Sequence, residues 1–302
     1  MSASASPARR SSLLDPEFLA RLERLEPAVR RLVSGERRGD HAVRRRGGGS
    51  LFRDHRPYVQ GDDPRFVDWN VYSRLGELVV KNFDADEAMK MNIFVDASGS
   101  MDFGRQNKFL AARRLAAALG FITLNRLGVV AIAEVSERRR AASRAEFFGK
   151  AAVQGLLAHL EDMPVGGDVD LFAALRTLVG VRGGRGVAVL ISDCFAERGY
   201  ARALHYLRHA GFKTAVVHVL DHDDFRPDLS GSLRLIDVET RRTLRAAFTA
   251  DLVERYAAEV RAWSDGVESF CNAKDVAYAR VDTGRELDET ILGTLVRRGI
   301  LR

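Results

Sequence analysis

Cysteine is almost absent from this chain: 302 residues hold two, Cys194 and Cys271, far apart in sequence. Neither a disulfide framework nor a cysteine-rich metal site can be built from such a pair. Long apolar runs are also missing, and none approaches the ~20 residues that a membrane-spanning helix needs. Met1 to Arg10 is small and polar, and no apolar signal-peptide core follows it, so a cytoplasmic location is expected. Lysine is scarce as well, supplying six of the 47 basic residues, so the net charge of +6 is almost wholly an arginine excess. Arginine and alanine richness together often reflect codon composition, so the charge is weak evidence for a polyanion partner. Two local runs, Arg44–Arg46 and Arg138–Arg140, keep nucleic-acid binding open as an alternative, although solvated faces are the commoner use of such runs.

Several enzyme signatures are lacking too. There is no H-E-x-x-H pair, no G-x-x-x-x-G-K-[ST] phosphate loop and no G-x-S-x-G nucleophile elbow. His205 and His209 stand at helical i, i+4 spacing without the intervening glutamate, and read as surface or packing residues. A dehalogenase-type phosphatase wants a second carboxylate two residues after its first aspartate; after Asp96 that position is Ser98. A non-enzymatic role is therefore expected. A metal-dependent hydrolase in which Asp96, Asp168 and Asp193 hold a water-activating metal is a further alternative, but it lacks an obvious general base.

What is present is an alternation of strands and helices. Residues 1–15 read as a disordered tail. Residues 16–35 place Phe18, Leu19, Leu22, Leu25, Val29, Leu32 and Val33 on one helical stripe, with a break expected near Pro27. The region 16–90 reads as a smaller helical and β-rich unit. From 91 onward, apolar strands alternate with helices (107–124, 150–161, 170–179, 199–210, 249–271 and 287–298), which predicts an α/β fold with a doubly wound, mostly parallel sheet. Residues 221–248 read as an insertion forming a hairpin.

Two strands, Met91–Val95 and Val187–Ser192, are continuously apolar and stop abruptly at Asp96 and Asp193. Uninterrupted apolar strands belong in a sheet covered on both faces, and ligands of such sheets bind beyond the carboxyl ends of the strands. Asp96, Ser98 and Ser100 form a D-x-S-x-S pattern whose alternate side chains can converge on one point. Carboxylate and hydroxyl oxygens are hard donors, suited to Mg²⁺ with Mn²⁺ or Ca²⁺ as substitutes. The competing reading is a helix cap, because the same residue types cap helices.

The strand ending in Asp96-Ala-Ser-Gly-Ser-Met101, with the later Ile191-Ser192-Asp193, resembles the metal-ion-dependent adhesion site of von Willebrand factor A (VWA) domains. The preceding stretch, LFRDHRPYVQGDDPRFVDWNVYSRLGELVVKNFDADE, resembles the bacterial family called domain of unknown function 58. Its marks are an arginine-rich strand, the Gly61-Asp62-Asp63-Pro64-Arg65 turn, the Asp68-Trp69 pair and Ser73-Arg74. The resemblance spans roughly residues 45–300 and implies a VWA-like domain over 91–302. It implies that Asp96, Ser98 and Ser100 form the first ligand loop and Asp193 the third. In the second loop, Gly166-Gly167-Asp168-Val169-Asp170-Leu171, either Val169 or Asp168 takes the usual threonine position; valine cannot ligate, whereas Asp168 could. The resemblance further implies a metal-dependent protein-interaction module working with a MoxR-type AAA+ ATPase and an unknown protein client. Asp62, Asp63, Arg65, Asp68, Trp69 and Arg74 are candidate partner contacts, with a structural junction as the plainer alternative. Trp69 is expected to anchor onto the core.

Overall fold

The computed structural model describes residues 13–36, 52–58, 68–83, 90–126, 128–136, 144–180, 186–195, 199–227, 229, 231–236, 243–298 and 300. They fall into two compact units, one drawn from 1–37 and 90–302, the other from 38–89.

The larger unit is built on a six-stranded sheet. Its strands are β3 (Lys90–Asp96), β4 (Val129–Val135), β5 (Arg144–Phe148), β6 (Val187–Ser192), β7 (Lys213–Leu220) and β10 (Ala277–Asp282), in the order β10-β7-β6-β3-β4-β5. All neighbours run parallel except β5, which returns antiparallel to β4 as a hairpin partner. The expected mostly parallel α/β sheet is thus present. The chain runs from β3 outward through β4 to β5, then jumps back to lay β6 on the other side of β3. The strand order therefore reverses between β3 and β6, the place where open α/β sheets form their crevice.

Central strands are buried and mostly apolar because helices cover both faces. In β3 every residue from Met91 to Asp96 is buried, and β6 is buried from Ala188 to Ser192. Helix α3 (Lys108–Asn125) packs on β3 and β4. Against it lies α4 (Val153–Glu161), close enough that a Cβ at Gly120 would meet Leu156 Cδ2 at 2.6 Å. The other core cluster joins α5 (Leu171–Val179) and α6 (Tyr200–His209) to α8 (Ala250–Ala273) through Phe94, Leu175, Leu204, Val216, Val267 and Tyr278. Cys194 and Cys271 are buried in this same cluster as free thiols.

Helix α1 (Pro16–Glu36) belongs to this larger unit and packs on α3 and on the C-terminal helix, which begins as α9 (Leu287–Thr290) and continues as a π-helix over Ile291–Val296. Its buried stripe is Phe18, Leu22, Leu25 and Val29. The break expected at Pro27 does not occur; the helix runs through it. Apolar anchors on both sides outweigh the one hydrogen bond that proline cannot donate. The short α7 (His222–Phe225) follows β7, and β8 (Gly231–Ile236) pairs antiparallel with β9 (Thr243–Phe248), the hairpin expected in 221–248.

In the smaller unit β1 (Phe52–Pro57) pairs antiparallel with β2 (Val79–Phe83), and α2 (Trp69–Leu75) lies between them in sequence. Asp68 is buried at the start of α2, where its backbone carbonyl accepts from Val71 and Tyr72. Trp69, expected to anchor onto the core, is 59% exposed; among the described residues its aromatic partner is Tyr72, edge-on at 6.1 Å. Asp62, Asp63 and Arg65 lie outside the described residues, as do Arg44–Arg46 and Arg138–Arg140. Arg74 is exposed on α2.

Candidate functional site

Asp96 and Asp193 lie side by side at the switch point because their strands are hydrogen-bonded neighbours in register, Val95 opposite Ile191. One residue further on, the Ser192 hydroxyl donates to Asp96 Oδ2. The other Asp96 oxygen, Oδ1, accepts from the backbone N–H of Ser98 at 2.9 Å, which turns the chain sharply out of β3. Ser98 and Ser100 then face each other with hydroxyl oxygens 3.0 Å apart. The D-x-S-x-S residues therefore do converge.

The second loop is stitched to the first by backbone bonds. Gly166 N–H donates to Ala97 O and Gly99 N–H donates to Gly167 O, both at 2.8 Å. Gly166 and Gly167 adopt φ of +118° and +97°, the left-handed side that favours glycine. Beyond them Asp168 is exposed, its carboxylate accepting from its neighbour Val169 N–H at 2.8 Å. Val169 is buried in the α5–α6 core cluster, and Asp170 caps α5 by accepting from Ala173 N–H. Among the described residues no three His, Cys, Asp or Glu side chains come together as a metal-holding group, so Asp96, Asp168 and Asp193 do not form a carboxylate triad.

A lysine that the sequence reading passed over completes the arrangement. Lys108, the first residue of α3, is 1% exposed. Its ammonium lies 2.8 Å from Asp193 Oδ2 and 3.2 Å from Asp224 Oδ1, with the Phe195 ring centroid 5.1 Å away. Asp193 Oδ1 accepts from Phe195 N–H at 3.1 Å. Asp224 in turn accepts from Asp221 N–H at 2.8 Å, closing a capping box on α7. Asp221 accepts from the Thr283 hydroxyl and from the backbone of Arg105 and Gln106, tying the loop ahead of α3 to the end of β7. The backbone of Asp193 is fixed separately. His218 Nε2 lies 2.9 Å from Asp193 O and its Nδ1 lies 2.8 Å from the Tyr278 hydroxyl. A carbonyl can only accept, so Nε2 carries the proton and Nδ1 accepts from tyrosine.

The electrostatics follow from burial. Burial, and then the neighbouring Asp193 charge, push the Asp96 carboxyl up to about 6 from 3.8. For Lys108, burial works against the charged form, but Asp193 and Asp224 outweigh it and the net direction is upward. Burial lowers His218 to about 4, keeping it neutral. Asp96 thus has hydroxyl and amide donors around it and a like charge beside it, while the Lys108 ammonium is spent on Asp193 and Asp224. Four hard oxygen-bearing groups, Asp96, Ser98, Ser100 and Asp193, fit a divalent cation of the Mg²⁺ type in donor chemistry and in unanswered negative charge.

Residues 54–265 match the family described as "Protein of unknown function DUF58". The chain belongs to that family. It is 32% identical over 237 residues to "Uncharacterized protein Rv1480" of Mycobacterium tuberculosis (strain ATCC 25618 / H37Rv), covering 76% of this chain and 74% of the relative. The same figures hold for "Uncharacterized protein Mb1516" of Mycobacterium bovis. Among solved structures, similarity extends to the conserved hypothetical protein BatB from Bacteroides thetaiotaomicron, at 14% identity and a TM-score of 0.41, covering 70% of this chain and 99% of that one. A further similar structure is an aerotolerance-related membrane protein from Bacteroides fragilis, at 16% identity and a TM-score of 0.40, covering 68% and 95%. Among the described residues of this DUF58 protein, no helix is long and apolar enough to cross a membrane.

Proposed function

We propose that this DUF58 protein is a non-enzymatic, cytoplasmic, metal-dependent protein-interaction module of the VWA type. In this reading Asp96, Ser98, Ser100 and Asp193 hold a Mg²⁺ ion at the β3/β6 switch point, with Mn²⁺ or Ca²⁺ as substitutes. Bound there, the ion would supply an open coordination position for a carboxylate oxygen of a partner. The observation that carries the reading is the pair of buried carboxylates, Asp96 and Asp193, placed together with two facing hydroxyls and, among the described residues, no cation paired with Asp96. Asp168, exposed and turned to its own backbone neighbour, belongs to the rim of such a site.

Lys108 has a defined part in this scheme. Its ammonium, shared between Asp193 and Asp224, offsets part of the Asp193 charge, so the ion would keep more positive charge with which to attract an acidic ligand. A site with several free carboxylates would bind the cation more tightly but repel that ligand.

The partner we propose is a MoxR-type AAA+ ATPase, with this chain presenting a client to it. The test is size-exclusion chromatography of the purified chain with the MoxR-type ATPase of the same organism, in Mg²⁺ and in EDTA. A complex that forms in Mg²⁺, and is lost in EDTA and in Asp96→Asn, is expected. A complex indifferent to both would refute the metal-dependent adaptor role.

A further inference from the structure

Helices α5 and α6, LFAALRTLV and YARALHYLRH, contain no Asp or Glu; their basic residues are Arg176, Arg202, His205, Arg208 and His209. Where these helices meet the end of α8 the surface opens into a groove of about 430 Å³. Its floor is aromatic: Phe172 from α5, Tyr206 from α6 and Phe270 from α8. Phe172 meets Tyr206 edge-on at 5.8 Å, and Phe270 meets Tyr200 in the same way at 5.6 Å. Besides Tyr206, the groove's polar lining side chains among the described residues are basic: Arg202, His205, His209 and Lys274. Among the described residues Arg202 is paired with no carboxylate; its guanidinium instead lies 4.6 Å from the centroid of the Phe172 ring. The nearby Asp275 leans towards Arg208, at 3.8 Å, rather than into the groove.

We propose that this groove docks an acidic amphipathic helix of a partner protein, apolar side chains on the aromatic floor and carboxylates on the basic rim. Charge complementarity selects the occupant, since an apolar floor flanked by the Arg202 and Lys274 cations favours apolar residues beside Asp or Glu. The dimensions agree. Arg202 to His209 on α6 spans roughly 10 Å at 1.5 Å per residue, or about two turns. Helix-in-groove recognition commonly reads anchors spaced i and i+4 over that length. Single-stranded nucleic acid is the poorer fit, because base stacking needs open ring faces. Here the floor rings are partly buried and edge-on to their neighbours, and Phe172 is covered by Arg202.

This surface is separate from the proposed cation site, and its test is run in EDTA so that neither result bears on the other. The probe is a fluorescein-labelled helical peptide of about sixteen residues, with leucines at i and i+4 and glutamates beside them. Fluorescence anisotropy should show saturable binding, weakened about tenfold or more by Arg202→Glu and by Lys274→Glu in variants that melt like wild type. A peptide with serines for the leucines should bind about tenfold more weakly, and one with lysines for the glutamates should not bind. Absence of binding, equal binding of the serine peptide, or no response to the two surface variants would overturn the proposal. Tighter binding of a single-stranded DNA of matched charge would also overturn it and assign the groove to nucleic acid.

Discussion

A lysine ammonium taken out of water costs several kcal/mol unless carboxylates answer it. Lys108 has two such partners, 85 and 116 residues away in sequence. Removing it leaves Asp193 and Asp224 buried against each other, so Lys108→Met should destabilise the fold by roughly 3–5 kcal/mol in EDTA. If a divalent ion shares Asp193, added Mg²⁺ should restore more stability to Lys108→Met than to wild type, by the linkage between binding and folding. Chemical denaturation with and without Mg²⁺ checks both; equal Mg²⁺ effects on the two proteins would remove Asp193 from the ligand set. Residue His218 makes a pH prediction. Burial holds its folded pKa at about 4, below the ordinary imidazole value of 6.5, so the neutral ring contributes stability that is fully present above about 6.5. That stability is lost as pH falls from 6.5 through 4, by roughly 3 kcal/mol for the full shift. His218→Gln should flatten this part of the stability–pH curve, measured by urea unfolding between pH 7 and 4; an unchanged slope would mean that His218 is not what acid titrates.

At the scale of elements, the close approach of the loop before α3 to Asp221 makes a sharp demand. Gly104 has φ of +93°, and a Cβ there would sit 2.5 Å from the Asp221 carboxylate carbon. Gly104→Ala should therefore cost at least about 2 kcal/mol, combining left-handed strain with a contact that must move backbone-bonded atoms. Thermal melts would show it, and a variant as stable as wild type would mean that the α3–α7 junction is looser than described. Helix α1 gives the opposite sign. Pro27 is exposed within a continuous helix, so Pro27→Ala should stabilise by about 1 kcal/mol or more. These two elements also show what can be read from sequence. The stripe Phe18–Leu22–Leu25–Val29 identified α1 as a helix, but only its packing on α3 shows why a proline does not break it. Strands β3 and β6 were legible because two-sided burial writes itself as a nearly continuous apolar run, interrupted in β3 by Asn92, that ends at an aspartate.

Taken as a whole, the molecule joins segments whose association no local pattern announces. The apolar runs ending at Asp96 and Asp193 could be read directly, and the sheet order then places them at adjoining strand ends. Lys108 could not be found that way, because a lysine in NKFLAARR reads as one more charge on a helix surface. The available signal was its rarity: one of six lysines in an arginine-rich chain, opening a helix just after the serine-containing loop. Asp224 was hidden in the same manner within a stretch read only as an insertion. In the second loop the resemblance left the threonine position to Val169 or Asp168, a choice that needs the fold: Val169 is core, and Asp168 is exposed with its carboxylate accepting from Val169 N–H.

The central claim is that the β3/β6 edge holds a divalent cation through Asp96. Proton uptake by Asp96 competes with such binding, so affinity should fall as pH drops below about 6. Isothermal titration of Mg²⁺ and Mn²⁺ into wild type and Asp96→Asn at pH 7.5, with melts confirming that both are folded, is the most direct measurement. One saturable site is expected in wild type, and it should disappear in Asp96→Asn. Equal binding by both proteins, or none by wild type, would contradict it.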